Sequence, residues 1–302
     1  MAAGLALDAV LADPRRGHPV AAFGRAAARV ESALHRDARA AGVVHAAALT
    51  GWAAALGALV SRRTAGRPGR RAAATAVATW AVVGGTTLRR EAAAMSRHLT
   101  ADDVAAARRR LPHLCGRDPS RLDGAGLARA TVESVAENTS DAVVGPLVWG
   151  AVGGVPGLLA YRAVNTLDAM VGHRSPRYAR FGWAAARADD VANLVPSRLT
   201  AALTVLLAPV VGGRPASALR IWRRDGGKHP SPNAGPVEAA FAGALGRTLG
   251  GRLSYGGRVE DRPLLGDGPA PGVDDVARAA RLSAAVSAAA GLLAVGVAAV
   301  RR

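Results

Sequence analysis

Five stretches of the chain carry no Asp, Glu, Lys or Arg: Ala40–Ser61 (22 residues), Ala72–Leu88 (17), Ala142–Tyr161 (20), Leu199–Gly213 (15) and Leu282–Val300 (19). With charged residues at 20% of the whole, a 20-residue window escapes charge about once in a hundred placements. Several such windows in one chain therefore need a cause. As α-helix at about 1.5 Å per residue, runs of this length match a hydrocarbon core of about 30 Å. The runs are rich in Ala and Gly rather than Leu and Ile, so an Ala-rich soluble bundle competes with a membrane protein. The flanks favour the membrane: Arg39 and Arg62–Arg63 bracket the first run, Arg70–Arg71 and Arg89–Arg90 the second, and Arg301–Arg302 follow the last. Arginine at a helix end reaches back to the interface and pairs with lipid phosphate. Gly150, Gly153, Gly154 and Gly157 let helices approach closely. The pattern predicts an all-α, multi-spanning helical membrane protein with about four to six membrane segments, forming one integral membrane domain over residues 1–302.

One run is expected to differ. Ala142–Tyr161 holds Pro146, Gly153-Gly154 and Pro156-Gly157, several helix breakers in one span. If it simply crossed, the polar segments on its two sides would lie on opposite faces of the membrane. A re-entrant or broken helix avoids that separation and is the favoured reading; the alternative is that the motifs meet inside a membrane cavity. Of the polar segments, 89–141 is expected to hold a helix over Val104–Leu111, capped by Thr100 with Asp103 and stopped by Pro112, then turns, then a helix from Leu127 to about Asp141. Segment 162–198 has helical stretches, and 214–281 is broken by Gly and Pro; no alternation predicts a sheet, and no fixed-period repeat predicts a solenoid. Met1–Leu11 lacks a basic start and carries Asp8, so it reads as a short or truncated membrane element rather than a signal peptide.

Composition changes the picture in two places. Lys plus Arg is 39 against 22 Asp plus Glu, a net charge of +17, which taken alone suggests nucleic acid. Much of that charge sits at the edges of apolar runs, so membrane anchoring accounts for it and no nucleic-acid partner is expected. The single cysteine, Cys115, excludes a disulfide scaffold and a Cys-based zinc site. Lys228 is the only lysine beside 38 arginines.

Four constellations carry candidate chemistry. On a helix, Glu133, Glu137 and Asp141 fall at i, i+4 and i+8 and share one face, immediately before an uncharged run. Carboxylates at a membrane boundary mark function more often than decoration. Asn165 with Asp168, and Asp190 with Asn193 beside Asp189, repeat an i, i+3 spacing of hard oxygen donors that suits Mg²⁺. Arg174, Arg177 and Arg180 lie between them and could hold phosphate or carboxylate together. Lys228 opens the proline-bound loop Lys228-His229-Pro230-Ser231-Pro232-Asn233 and could be a phosphate-binding point charge or, less readily, a nucleophile. Asp13-Pro14 with His18-Pro19 adds an acid and an imidazole. Neither a P-loop nor an HExxH pattern occurs.

In these blocks the chain resembles the adenosylcobinamide-phosphate synthase family of cobalamin biosynthesis (CbiB/CobD type). The matching stretches are Leu7–Asp8 through Asp13-Pro14 and His18-Pro19-Val20, Arg129–Leu147, Gly154–Gly157, Tyr161–Met170, Arg177–Pro196 and Lys228–Gly251. The run Arg15-Arg16-Gly17 before His18 departs from the pattern. The resemblance implies a multi-pass enzyme of the inner (cytoplasmic) membrane. It would join a propionate carboxyl of adenosylcobyric acid to aminopropanol or its O-phosphate, using ATP and Mg²⁺. It implies as partners the corrinoid, the amine, the lipid bilayer and other late corrin-pathway membrane enzymes. On that basis Glu133, Glu137, Asp141 and Lys228 are expected to be catalytic. Asp168, Asp189 and Asp190 would hold metal. His18, Asn138, Arg162, Asn165, Arg174, Arg177, Arg180, Arg187, Asn193, Ser231 and Asn233 would bind substrate. A Mg²⁺-dependent membrane prenyltransferase, and a non-enzymatic membrane sensor or scaffold, are the competing functions.

Overall fold

A computed structural model describes residues 1–14, 17–173, 175–255 and 258–300, with side chains outside 252–260. Thirteen helices dominate the described residues, and the chain forms two compact units. Among the described residues four helices are, by length and composition, long and apolar enough to cross a membrane: Arg39–Arg63, Gly124–Gly172, Leu194–Val211 and Val273–Val300. The expected helical membrane protein is what the chain forms.

The first unit holds Met1–Gly84, Asp141–Val195 and the end of the chain from Gly291. Its helices are α1 (Ala2–Leu11), α2 (Pro19–Leu34), α3 (Arg39–Arg63), α4 (Pro68–Val82), α8 (Gly145–Leu167) and α9 (Trp183–Ala192). α3 and α4 pack along α8, and α1 packs on α4. Small residues permit this: a Cβ on Gly57 of α3 would sit 2.6 Å from the Cα of Pro156 on α8. Ala27, Leu49, Leu167, Val171, Phe181 and Ala185 form a buried core beside it.

α8 is not one rod. Gly154 has φ 60° and ψ −145°, a left-handed conformation that costs an L side chain dearly but glycine little, and Pro156 follows it. A Cβ on Gly145 would lie 2.0 Å from the Tyr161 hydroxyl, one on Gly150 2.7 Å from Leu158 Cδ2, and one on Gly157 2.1 Å from the Trp149 carbonyl oxygen. In a straight helix residues 145 and 161 would be about 24 Å apart. The run therefore folds back on itself as two antiparallel arms, 145–153 and 155–167. π turns flank it at Ser140–Val144 and Asp168–Gly172.

The second unit holds Gly85–Ser140 and Pro196–Ala290. It contains α5 (Gly85–Thr100), α6 (Val104–Arg110), α7 (Gly124–Thr139), most of α10 (Leu194–Leu207), α11 (Pro215–Asp225), α12 (Ala234–Leu245) and the first part of α13 (Val273–Val300). Every residue of α12 is buried, and α11 and α7 pack on it. Asp103 caps α6 through the Ala106 amide, and Asp123 caps α7 through the Gly126 amide.

Two expectations need correction. Ala72–Leu88 is not a single helix, because Val83 turns extended after α4 and the chain restarts at Gly85; the Gly84 amide donates instead to the Ala142 carbonyl at 3.0 Å. The segment expected to lack strands forms an antiparallel hairpin, β1 (Leu249–Tyr255) with β2 (Arg258–Leu265). Its glycines hid the alternation: Gly250 and Gly251 take positive φ where the register shifts between Leu249 and Gly251.

Candidate functional site

Each unit gathers its own polar cluster. In the first, the fold-back of α8 puts the base of one arm beside the end of the other. The Tyr161 hydroxyl lies 2.8 Å from Asn193 Oδ1, to which it donates, and 3.1 Å from the Asp141 carbonyl. Next to it Arg162 Nη1 reaches Asn165 Oδ1 at 3.5 Å, and Asn165 Nδ2 donates to Asp189 Oδ1 at 3.3 Å. Asp189 sits one turn before Asn193, whose amide donates to the Asp189 carbonyl at 2.9 Å. Asp13 and Asp141 act electrostatically on Arg162, and Asp141 and Asp189 on Tyr161. Trp149 on the first arm holds the end of α9 by donating to the Ala192 carbonyl at 2.9 Å. His18 caps α2, its Nδ1 accepting the Val20 amide at 3.1 Å, so its proton resides on Nε2, 3.3 Å from Asp13 Oδ1. His18, Asp141, Arg162, Asn165, Asp189 and Asn193, marked in the sequence, thus come together on α8, α9 and the turn before α2. Asp13, the candidate acid beside His18, joins them, and so does Tyr161, which had been given no role.

Other marked residues of this unit go elsewhere. Asp168 starts the second π turn, its Oδ1 where a Gly172 side chain would be. Asp190 pairs with Arg187 at 2.9 Å on the exposed side of α9. Arg177 binds Glu31 at 3.0 Å and Arg180 lies 3.9 Å from Asp37, so these two arginines do not converge on one anion. Arg174 lies outside the described residues. The stripe Glu133, Glu137, Asp141 is also divided: α7 ends at Thr139 and the π turn from Ser140 carries Asp141 off its line.

In the second unit Glu133 has both oxygens occupied. Oε2 takes Arg117 Nη2 at 2.6 Å and Oε1 takes the Gly250 amide at 2.7 Å, so the carboxylate ties β1 to α7. Glu137 is exposed, and Asn138 donates to the Ser134 carbonyl of its own helix. Glu238 on α12 is 3% exposed, and burial, then Glu133 and Glu137, push its carboxyl well above the ordinary range. His229 is buried 3.8 Å from Glu238 and takes Arg262 Nη1 on Nε2 at 3.0 Å. Burial, then Arg262, lower its ring to about 4. Asn233 accepts Arg198 at 2.8 Å and Ser197 at 3.1 Å, while Ser231 Oγ takes the Asn233 and Ala234 amides at the start of α12. Lys228 is bound at 2.7 Å to Asp225, which is fully buried. Arg224, then Lys228 and the Gly266 amide, hold that carboxyl far below its usual range. His229 and Glu238 were visible within a marked motif; Arg117 and Arg262 carried no signal in the sequence.

Among the described residues no three His, Cys, Asp or Glu side chains close on one point. The oxygen donors of the first cluster (Asp13, Asp141, Asp189, Asn165) nevertheless suit a hard cation that keeps waters and substrate oxygens as its remaining ligands.

Comparison with known proteins adds the family. The family described as CobD/Cbib protein matches residues 1–283. The chain is 59% identical over 294 residues to cobalamin biosynthesis protein CobD of Mycobacterium tuberculosis, covering 97% of this chain and 93% of the relative. It is 44% identical over 284 residues to the Chromobacterium violaceum protein of the same name (92% and 89%), and 42% identical over 288 to that of Rhodobacter capsulatus (92% and 90%). No solved structure matches it.

Proposed function

The chain belongs to the CobD/Cbib protein family, and on that premise we propose that it is a multi-pass carbon–nitrogen ligase of the cytoplasmic membrane, acting in cobalamin biosynthesis. It joins a propionate carboxyl of adenosylcobyric acid to the amine of aminopropanol or its O-phosphate. The observation that carries this reading is the fold-back of α8, which sets Asp141 and Tyr161 side by side and builds a cluster of acids, amides and one guanidinium at their meeting point.

An ammonium and a carboxylate do not condense in water, because the amine is protonated and the carboxylate is a poor electrophile. ATP with Mg²⁺ supplies the activation of the carboxylate. Asp13 and Asp189 are the residues that would hold the cation. Asp141, at the π turn, takes the proton from the substrate ammonium. His18 fixes Asp13 through its Nε2 proton, and Asn165 fixes Asp189. Tyr161 and Trp149 fix Asn193 and the end of α9.

The purified protein, supplied with adenosylcobyric acid, ATP and Mg²⁺, should form an amide with aminopropanol or its phosphate. Asp141→Asn should lower turnover at least about 100-fold while the protein stays folded. The absence of product with both amines in the wild-type protein would refute the activity.

A further inference from the structure

We infer that Arg162 and Asn193 form an oxyanion-binding subsite that takes the phosphate or carboxylate group of a substrate together with a divalent cation. The inference rests on reading the first cluster as the reaction site. Among the described residues Arg162 Nε is buried without a hydrogen-bond partner, and its Nη1 makes a long 3.5 Å contact to Asn165 Oδ1. Asp13 and Asp141 act on it electrostatically. Asn193 is 1% exposed; Tyr161 occupies its Oδ1, and its Nδ2 is buried without a partner. Two buried donors from the same cluster are thus without a hydrogen bond among the described residues.

Such groups are costly. Buried donors in native proteins are nearly always paired, and a buried cation without a partner is more expensive than a neutral one. A ligand that brings two acceptor oxygens removes both costs at once. The guanidinium edge offers the forked donors that fit phosphate or carboxylate, and the Asn193 amide is a further donor of the same cluster. Charge fixes the second part of the inference. One arginine stands among Asp13, Asp141 and Asp189, so a bare anion would be repelled, and an anion arriving with Mg²⁺ would not.

The test uses the full chain in lipid nanodiscs with inorganic phosphate and acetate as probes, each with and without Mg²⁺, followed by calorimetry and thermal shift. The wild-type protein should bind at least one probe only when Mg²⁺ is present, and the arm that binds identifies the group as phosphate or carboxylate. Arg162→Met should weaken that binding about 10- to 100-fold, with Arg162→Lys in between. Asn193→Asp keeps an acceptor for Tyr161, so the fold stays, but it replaces the open N–H with a negative oxygen; it should weaken binding at least about tenfold. Arg223→Met, exposed on α11, should leave binding unchanged. Failure of both probes to bind the wild-type protein, or wild-type affinity in Asn193→Asp or in Arg162→Met, overturns the subsite. If the probes bind as expected but no amide forms, the ligase reading fails and the subsite stands.

Discussion

Replacing Gly157 by alanine tests the fold-back of α8 directly. The added Cβ would lie 2.1 Å from the Trp149 carbonyl oxygen and 3.0 Å from its carbon. Ordinary contact begins near 3.5 Å, so the arms must part by about 1 Å or more. The neighbour is backbone and cannot rotate away. Overpacking of this kind costs about 1–3 kcal/mol, while Gly→Ala returns about 0.4–1 kcal/mol through the unfolded chain. The net loss should be about 1–2 kcal/mol. Gly153→Ala is the control, since nothing lies within 4 Å of its Cβ and its φ is ordinary; it should be neutral or slightly stabilising. The assay is reversible unfolding of the two variants in mixed micelles, with amide formation measured beside it, because parted arms also separate Asp141 from Tyr161. In a straight membrane span Trp149 and Gly157 would be about 12 Å apart along the axis. Equal stability of the two variants would therefore refute the fold-back and the cluster built on it.

Three further outcomes are expected. Glu133→Gln keeps an acceptor for the Gly250 amide but leaves Arg117, 5% exposed, without its carboxylate; stability should drop by about 3 kcal/mol in a denaturant titration, and a change under about 0.5 kcal/mol would contradict a buried tie. His229, held at about 4 against about 6.5 in the unfolded chain, is protonated first in the unfolded state as pH falls. Its contribution to stability is complete above pH 6.5 and lost towards pH 4, by at most about 3 kcal/mol, and His229→Gln should flatten that part of the pH–stability curve. Lys228 is about half exposed and its partner Asp225 also holds Arg224 and the Gly266 amide, so Lys228→Met should cost no more than about 1 kcal/mol and change turnover less than threefold. A loss of 100-fold would instead place the lysine in the chemistry.

Local patterns in the sequence transferred to the structure where the cause was local, and failed where it was not. Uncharged length is a property of a segment, so Ala40–Ser61, Leu199–Gly213 and Leu282–Val300 lie largely within long apolar helices. Ala72–Leu88 failed although Gly84-Gly85 stood in it, because a glycine pair is tolerated in a membrane helix and only the pull of the Ala142 carbonyl decides against it. The same limit governs the site. Spacing showed that Asn165 and Asp168 share a helix face, but the π turn from Asp168 re-aims that side chain, and Asn165 turns to Asp189, 24 positions away. Asp13 reaches the field of Arg162 across nearly 150 positions because α8 folds back, and no window of sequence contains both. Periodicity identifies which residue types are available at a membrane edge. Which of them face one another depends on one glycine with a left-handed φ and two π turns. The marked residues thus sort into a clustered group around Asp141, Arg162 and Asn193, and a group, including Glu133 and Arg177, that holds the scaffold through ion pairs of its own.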